Sequence, residues 1–163
     1  MSSVETINNY LKGRAVTLDC NILILLIVGS IGENHIRKFK RTNQYTYDDY
    51  LLLVELIKMS TIVLTPNVLT EASNLLEQYE FYNQRIGLKN IENIISQSNE
   101  IYTKSNELVK LDTYLKFGLA DSSIYNLCKK GIMAITVDLP LYGYLSSKSL
   151  PVINFNHYRT DLN

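Results

Sequence analysis

Cysteine is scarce in this sequence: Cys20 and Cys128 sit in apolar surroundings with no CxxC or Cys/His spacing. That disfavours a disulfide, a zinc site or a cysteine nucleophile, and suits reduced, packed thiols in a reducing compartment. Net charge is missing as well. Sixteen Lys and Arg balance sixteen Asp and Glu, so no global positive field draws a nucleic acid, and such binding has to come from a local patch or from metal ions. Long apolar runs are also lacking. The longest, Ile22 to Val28, is far shorter than the roughly 20 residues that span a bilayer. The opening MSSVETINNYLKGR lacks the basic start, apolar run and cleavage site of a secretory signal, and a cytoplasmic protein is expected. No repeat, linker or low-complexity tract interrupts the chain.

What is present suits a globular fold. Nearly half of the 163 residues are hydrophobic and a fifth are charged, so residues 1–163 are expected to form a single domain around one core. Three apolar, β-branched runs stand out: AVTLD at 15 to 19, TIVLT at 61 to 65 and IMAITVD at 132 to 138. They lack period-two alternation, which marks strands buried on both faces of a parallel sheet. Leu150 to Phe155, after the turn-rich SSKSLP, reads as an edge strand.

Helical segments separate these runs, so the fold class is α/β. Thr46 to Met59 carries Tyr50, Leu53, Val54 and Ile57 on one face, the helical spacing. Thr65-Pro66 starts a helix that runs through Leu76, since Thr caps and Pro is tolerated at the first helical position. Ile91, Ile94, Ile95, Ile101 and Leu108 mark one or two further helices between Leu88 and Phe117. Asp121 opens DSSIYNLCKKG, with Ile124, Leu127 and Cys128 facing inward, lysines in the last turn and Gly131 just beyond. After Asp138, LPLYGYLSS reads as a short helix broken near Gly143.

Four acids fall at suggestive places. Asp19 and Asp138 end apolar strands, and ligands of open parallel sheets collect at the carboxyl ends of strands. Glu71 lies on a helix whose apolar stripe is Val68, Leu69, Ala72, Leu75 and Leu76. On a helical wheel it falls about 40° from Leu75 and about 60° from Val68, at the border of the buried face. Asp121 opens a helix. Each has a structural alternative: Asp19 and Asp121 as helix caps, Glu71 as an ordinary border carboxylate. Should all four converge, their repulsion calls for hard cations to neutralise it.

Asp19-Cys-Asn21 after a strand, TPNVLTE ending in Glu71, GLADSSI around Asp121 and ITVDLPL around Asp138 together resemble a PIN domain over approximately residues 14 to 155. The resemblance implies a three-layer α/β/α fold with a central parallel sheet of about four or five strands. It implies Mg²⁺ or Mn²⁺ as cofactor and single-stranded RNA as substrate. Carried over residue by residue, Asp19, Glu71, Asp121 and Asp138 are the catalytic, metal-binding acids, with Asn21 and Thr136 in support. The implied reaction is hydrolysis of phosphodiester bonds by a metal-activated water, the chemistry of an endoribonuclease. Many small ribonucleases of this kind are toxins restrained by an antitoxin and form homodimers.

The chain departs from the pattern in two places. Cys20 stands where the family often has a small polar residue, and Tyr79 to Lys116 reads as helical where a short extra strand is expected. Asp112 is close enough to Asp121 to be a substitute ligand, against the plainer reading of a solvated helix acid.

HIRKFKR at 35 to 41, followed by Tyr45 and Tyr47, combines charge with aromatic faces, as backbone contact and base stacking require. Arg37, Lys38, Lys40 and Arg41 are therefore the candidate RNA contacts, against the alternative of a solvated loop with locally packed tyrosines. Two other functions stay open. One is a PIN-fold module that binds protein or RNA without effective catalysis. The other is a receiver-like or phosphatase-like domain with Asp19 as phosphoacceptor, disfavoured because Asn21 stands where a second aspartate is needed.

Overall fold

The computed structural model describes residues 3–78 and 86–159. Among them, ten helices and five strands run in the order α1 (Ser3–Leu11), β1 (Ala15–Leu18), α2 (Cys20–Ile31), α3 (Glu33–Lys38), α4 (Tyr47–Ile57), β2 (Thr61–Leu64) and α5 (Pro66–Leu76), then α6 (Ile86–Gln97), β3 (Asn99–Glu100), α7 (Ser105–Leu108), α8 (Tyr114–Lys129), β4 (Met133–Thr136), α9 (Leu139–Ser147), β5 (Val152–Asn154) and α10 (Asn156–Arg159). All strand pairs are parallel, in the order β3-β2-β1-β4-β5. This is the α/β class that the alternating pattern predicts, in the three-layer α/β/α arrangement with a parallel sheet that the resemblance implies. Parallel neighbours require crossovers, and right-handed ones place the helices of the two halves on opposite faces.

The strand order reverses between β1, the central strand, and β4 beside it. Their register pairs Val16 with Met133 and Leu18 with Ile135, so both chains leave the sheet side by side at the same edge. Such a switch point leaves a crevice outside the carboxyl ends of the strands.

α2 is apolar on every side, and Ile22 to Val28 are all buried. A helix of that composition belongs inside a fold. It packs against α3, α4, α5 and α6, and each of its buried Leu and Ile side chains contributes about 1.5–3 kcal/mol. Gly29 permits the closest approach: a Cβ there would come within 2.2 Å of the Tyr50 ring on α4. Among the described residues, no helix is long and apolar enough to cross a membrane.

Local signals set several boundaries where the sequence predicts them. Thr46 caps α4 in a capping box with Asp49, and Thr65 caps α5 with Pro66 in the first turn. α8 ends in paired hydrogen bonds, Ile132 N–H to Leu127 O and Gly131 N–H to Cys128 O, with Gly131 at φ +86°. That left-handed residue is the glycine-closed helix end.

Three expectations are corrected. The stretch after Leu76 is not only helical: Asn99 and Glu100 form β3 on the outer edge of β2, while residues 79–85 lie outside the described residues. α9 runs unbroken through Gly143, because its side facing β4 and β5 is anchored by the buried Leu141 and Leu145. Asp121 does not open its helix. α8 starts at Tyr114 and is kinked at Gly118, whose φ of 84° and ψ of −172° are not helical. Asp121 therefore stands in the first turn after the kink and caps nothing.

Candidate functional site

Asp19 is buried, with 4% of its surface exposed. It caps α2, one carboxylate oxygen accepting from Ile22 N–H at 2.7 Å. The other oxygen accepts from the Thr136 hydroxyl and from Val137 N–H at 3.0 Å. The capping alternative therefore holds for Asp19: one oxygen serves the helix, and the other ties it to the end of β4. The Thr136 hydroxyl in turn accepts from Asp138 N–H at 3.0 Å. Asp138 caps α9 through Leu141 N–H at 2.7 Å. Thr136 therefore joins the two strand-end aspartates. Asn21 lies beside Asp19 in the first turn of α2, half-buried.

Asp121 and Glu71 come from the packed helices α8 and α5. The capping hydroxyl of Thr65 lies 2.7 Å from that of Ser123, which ties the start of α5 to the first turns of α8 beyond the kink. Glu71 is exposed and lines a cleft of about 520 Å³, in keeping with its place at the border of the apolar stripe. Among the described residues, no hydrogen-bond donor or cation pairs with the Asp121 or Glu71 carboxylate; Arg37, Lys58 and Arg159 pair with Glu33, Glu55 and Asp49 instead.

The electrostatics record this proximity. Burial first, then the charges of Asp19, Asp138 and Glu71, push the Asp121 carboxyl up to about 7. Burial also raises Asp19, against the lowering effect of its bonds from Thr136, Ile22 and Val137. Burial, then Glu71 and Asp19, push the Cys20 thiol up to about 12, so it stays protonated and is no nucleophile. Asp112 is exposed on the connection before α8 and is not among the charges acting on Asp121.

Among the described residues, no group of three or more His, Cys, Asp or Glu is arranged to hold a metal ion. The charges of Asp19, Asp138 and Glu71 reach Asp121, but the four acids form no such group. Their donor set, oxygen alone, matches Mg²⁺ and Mn²⁺ and not zinc. Mg²⁺ in particular is commonly held by one or two carboxylates with waters and substrate phosphates completing the shell.

The basic run divides. Arg37 pairs with Glu33, and Ile36 and Phe39 are buried, while Lys38, Lys40 and Arg41 are exposed. The positive charge of Arg41 offsets part of the effect that the acids have on Cys20. Tyr45 is not a stacking surface: it is 2% exposed and carries the Arg159 guanidinium 4.6 Å from its ring centre. A second cationic surface went unread in the sequence. Tyr144 packs edge-on against Phe117 and Tyr125, with centroids 5.5 and 5.9 Å away. Lys116 and Lys148 stand over its ring at 4.8 and 5.7 Å, and Lys129 over Tyr125 at 5.7 Å. Those lysines are scattered along the chain, so no local motif announces them.

Compared with known proteins, the sequence matches no family model and no curated protein.

Proposed function

We propose that this chain is a PIN-type nuclease that hydrolyses phosphodiester bonds of single-stranded RNA with the help of Mg²⁺ or Mn²⁺. The observation that carries the reading is the acidic pole at the switch point of the sheet. Asp19 and Asp138 leave adjacent strands and are joined through Thr136. Asp121 and Glu71 act on the same space, and no cation among the described residues is paired with any of the four.

A bound divalent ion supplies activation of a water and neutralisation of phosphate charge. The side chains divide the rest. Asp19, held by three hydrogen bonds, is a fixed carboxylate. Asp121, free of such bonds, is the one available to turn toward an ion. Glu71 opens onto the adjoining cleft. Arg41, Lys40 and the lysines around Tyr144 offer phosphate contacts at the margins of the pole.

A binding module without effective catalysis is the second reading, favoured by the lack of a closed metal cage. An antitoxin partner and a homodimer rest on the resemblance alone, and a cytoplasmic setting suits the two buried free thiols. The test is incubation of the purified chain with labelled single-stranded RNA and DNA in Mn²⁺, Mg²⁺ or excess chelator. RNA cleavage that needs the metal and is lost in Asp19→Asn and Asp121→Asn supports the nuclease. Cleavage that persists in chelator overturns it, and binding without cleavage selects the module.

A further inference from the structure

The cleft of about 520 Å³ beside the acidic pole falls within the range of small-molecule sites, about 300–1,000 Å³. Its walls mix apolar surface from Leu75 and Leu119 with amides of Asn67 and Asn74. Among the described residues no Lys, Arg or His lines it, and the one charged group is Glu71. From these residues a phosphate would meet only negative charge. A neutral, flat, polar-edged group would not.

Tyr102 stands at the mouth. It is 69% exposed, and among the described residues no aromatic or cationic side chain stacks on its ring. The residues on either side of it are nevertheless held. Ile101 N–H donates to Leu64 O at 2.9 Å, extending the β2–β3 pairing, and Asn126 of α8 donates to Thr103 Oγ1 at 3.0 Å. An exposed aromatic ring on a fixed backbone is what base stacking uses. Neither Asn67 nor Asn74 has a side-chain hydrogen-bond partner among the described residues, so both amides can donate and accept toward a ligand. The larger cleft of about 620 Å³ between α2, α4 and α6 has no such ring and no link to the acids.

We infer that this cleft is a nucleobase subsite, taking one unpaired base of a single-stranded nucleic acid against Tyr102 with its edge toward Asn67 and Asn74. The inference rests on the proposed function for its placement, because the cleft shares Glu71 with the acidic pole. A base seated here sets which nucleotide lies beside the cleaved bond. Preference among sequences then comes from this cleft, not from the acids.

The test separates binding from cleavage. Anisotropy of fluorescein-labelled oligo(A), oligo(C) and oligo(U) is measured with the full chain in chelator at fixed salt, for wild type, Tyr102→Phe, Tyr102→Ala, Asn67→Ala and Asn74→Ala. Tyr102→Ala should weaken binding about 5- to 150-fold, the loss of one stacked base, with an unchanged slope against log salt. Tyr102→Phe should retain binding, and the Asn variants should change the ranking of the three oligonucleotides. Circular dichroism of each variant checks that the exposed positions leave the fold intact. If wild type binds none of the oligonucleotides, or if all variants bind and rank them as wild type does, the subsite is overturned even where metal-dependent cleavage is seen. If the effects appear and no cleavage is found, the subsite stands while the nuclease reading falls.

Discussion

The Thr136 hydroxyl donates to the Asp19 carboxylate across 117 residues of chain and accepts from the backbone N–H of Asp138. One small side chain thereby fixes both strand-end acids. Thr136→Val keeps the shape, removes both bonds, leaves the Asp138 N–H without this acceptor and leaves the Asp19 oxygen with Val137 N–H alone. A loss of about 1–3 kcal/mol is expected, or roughly 2–4 °C in melting temperature per kcal/mol at this size. RNA cleavage should fall further than stability alone explains, and Thr136→Ser should recover both. Equal stability of the Val variant in urea melts would show that the hydrogen bonds carry no weight.

Asp121 makes stability depend on pH. Its folded pKa, pushed up to about 7, lies above the unfolded value of about 3.9. The folded state therefore holds its proton more tightly, and the associated stability is complete below about pH 4 and lost as pH rises to about 7. Asp121→Asn removes that loss. The variant should be more stable than metal-free wild type at pH 7 by roughly 1–3 kcal/mol after discounting for partial exposure, and about equal to it at pH 4. Thermal melts of both proteins from pH 4 to 8 decide it; parallel curves would remove Asp121 from the acidic pole.

The same variant tests metal binding without reference to cleavage. An ion at tenfold excess over its dissociation constant adds about 1.4 kcal/mol to wild type. Mn²⁺ should raise the melting temperature of wild type and raise that of Asp121→Asn less. An equal rise in both places any bound ion elsewhere.

Two glycines should answer oppositely to alanine. Gly118 adopts φ 84° and ψ −172°, a region nearly closed to other residues, so Gly118→Ala is expected to cost about 1–3 kcal/mol and to displace the turn carrying Asp121. Gly143 lies inside α9 with nothing within 4 Å of an added Cβ. Gly143→Ala should stabilise by about 0.5–1 kcal/mol. Denaturant midpoints of the two variants provide the comparison.

Arg159 holds both carboxylate oxygens of Asp49 at 2.9 and 3.1 Å and also donates to Gln44 O. Asp49 is 8% exposed on its side chain, so Arg159→Ala strands a nearly buried charge, an expected loss of about 3 kcal/mol or more. Arg159→Lys should recover little of it, since an ammonium cannot make the two-pronged contact. Full rescue by lysine in equilibrium melts would reduce the clamp to simple charge attraction.

Short-range chemistry made much of this protein legible as text. Buried strands announce themselves as β-branched runs, and β1, β2 and β4 lie within AVTLD, TIVLT and IMAITVD. Thr46, Thr65 and Gly131 act on backbone groups a few residues away, so their residue types are enough to place helix ends. The strand-end positions of Asp19 and Asp138 follow from the same local reading. Other features depend on distant partners. β3 is two exposed residues that become a strand only by pairing with Val63 and Leu64. Tyr45 becomes a buried ring because Arg159 closes over it. The Lys116, Lys129 and Lys148 surface exists because α8 and α9 pack side by side. The kink at Gly118, which the residue permits but does not demand, puts Asp121 past the start of the helix instead of at its cap. Sequence alone determined which segments are strands and helices and where acids sit along them, because those signals are carried by adjacent residues. Tertiary structure decided that β1 and β4 are neighbours and that Thr136 reaches Asp19, because strand order is set by packing across the whole sheet and no local stretch encodes it.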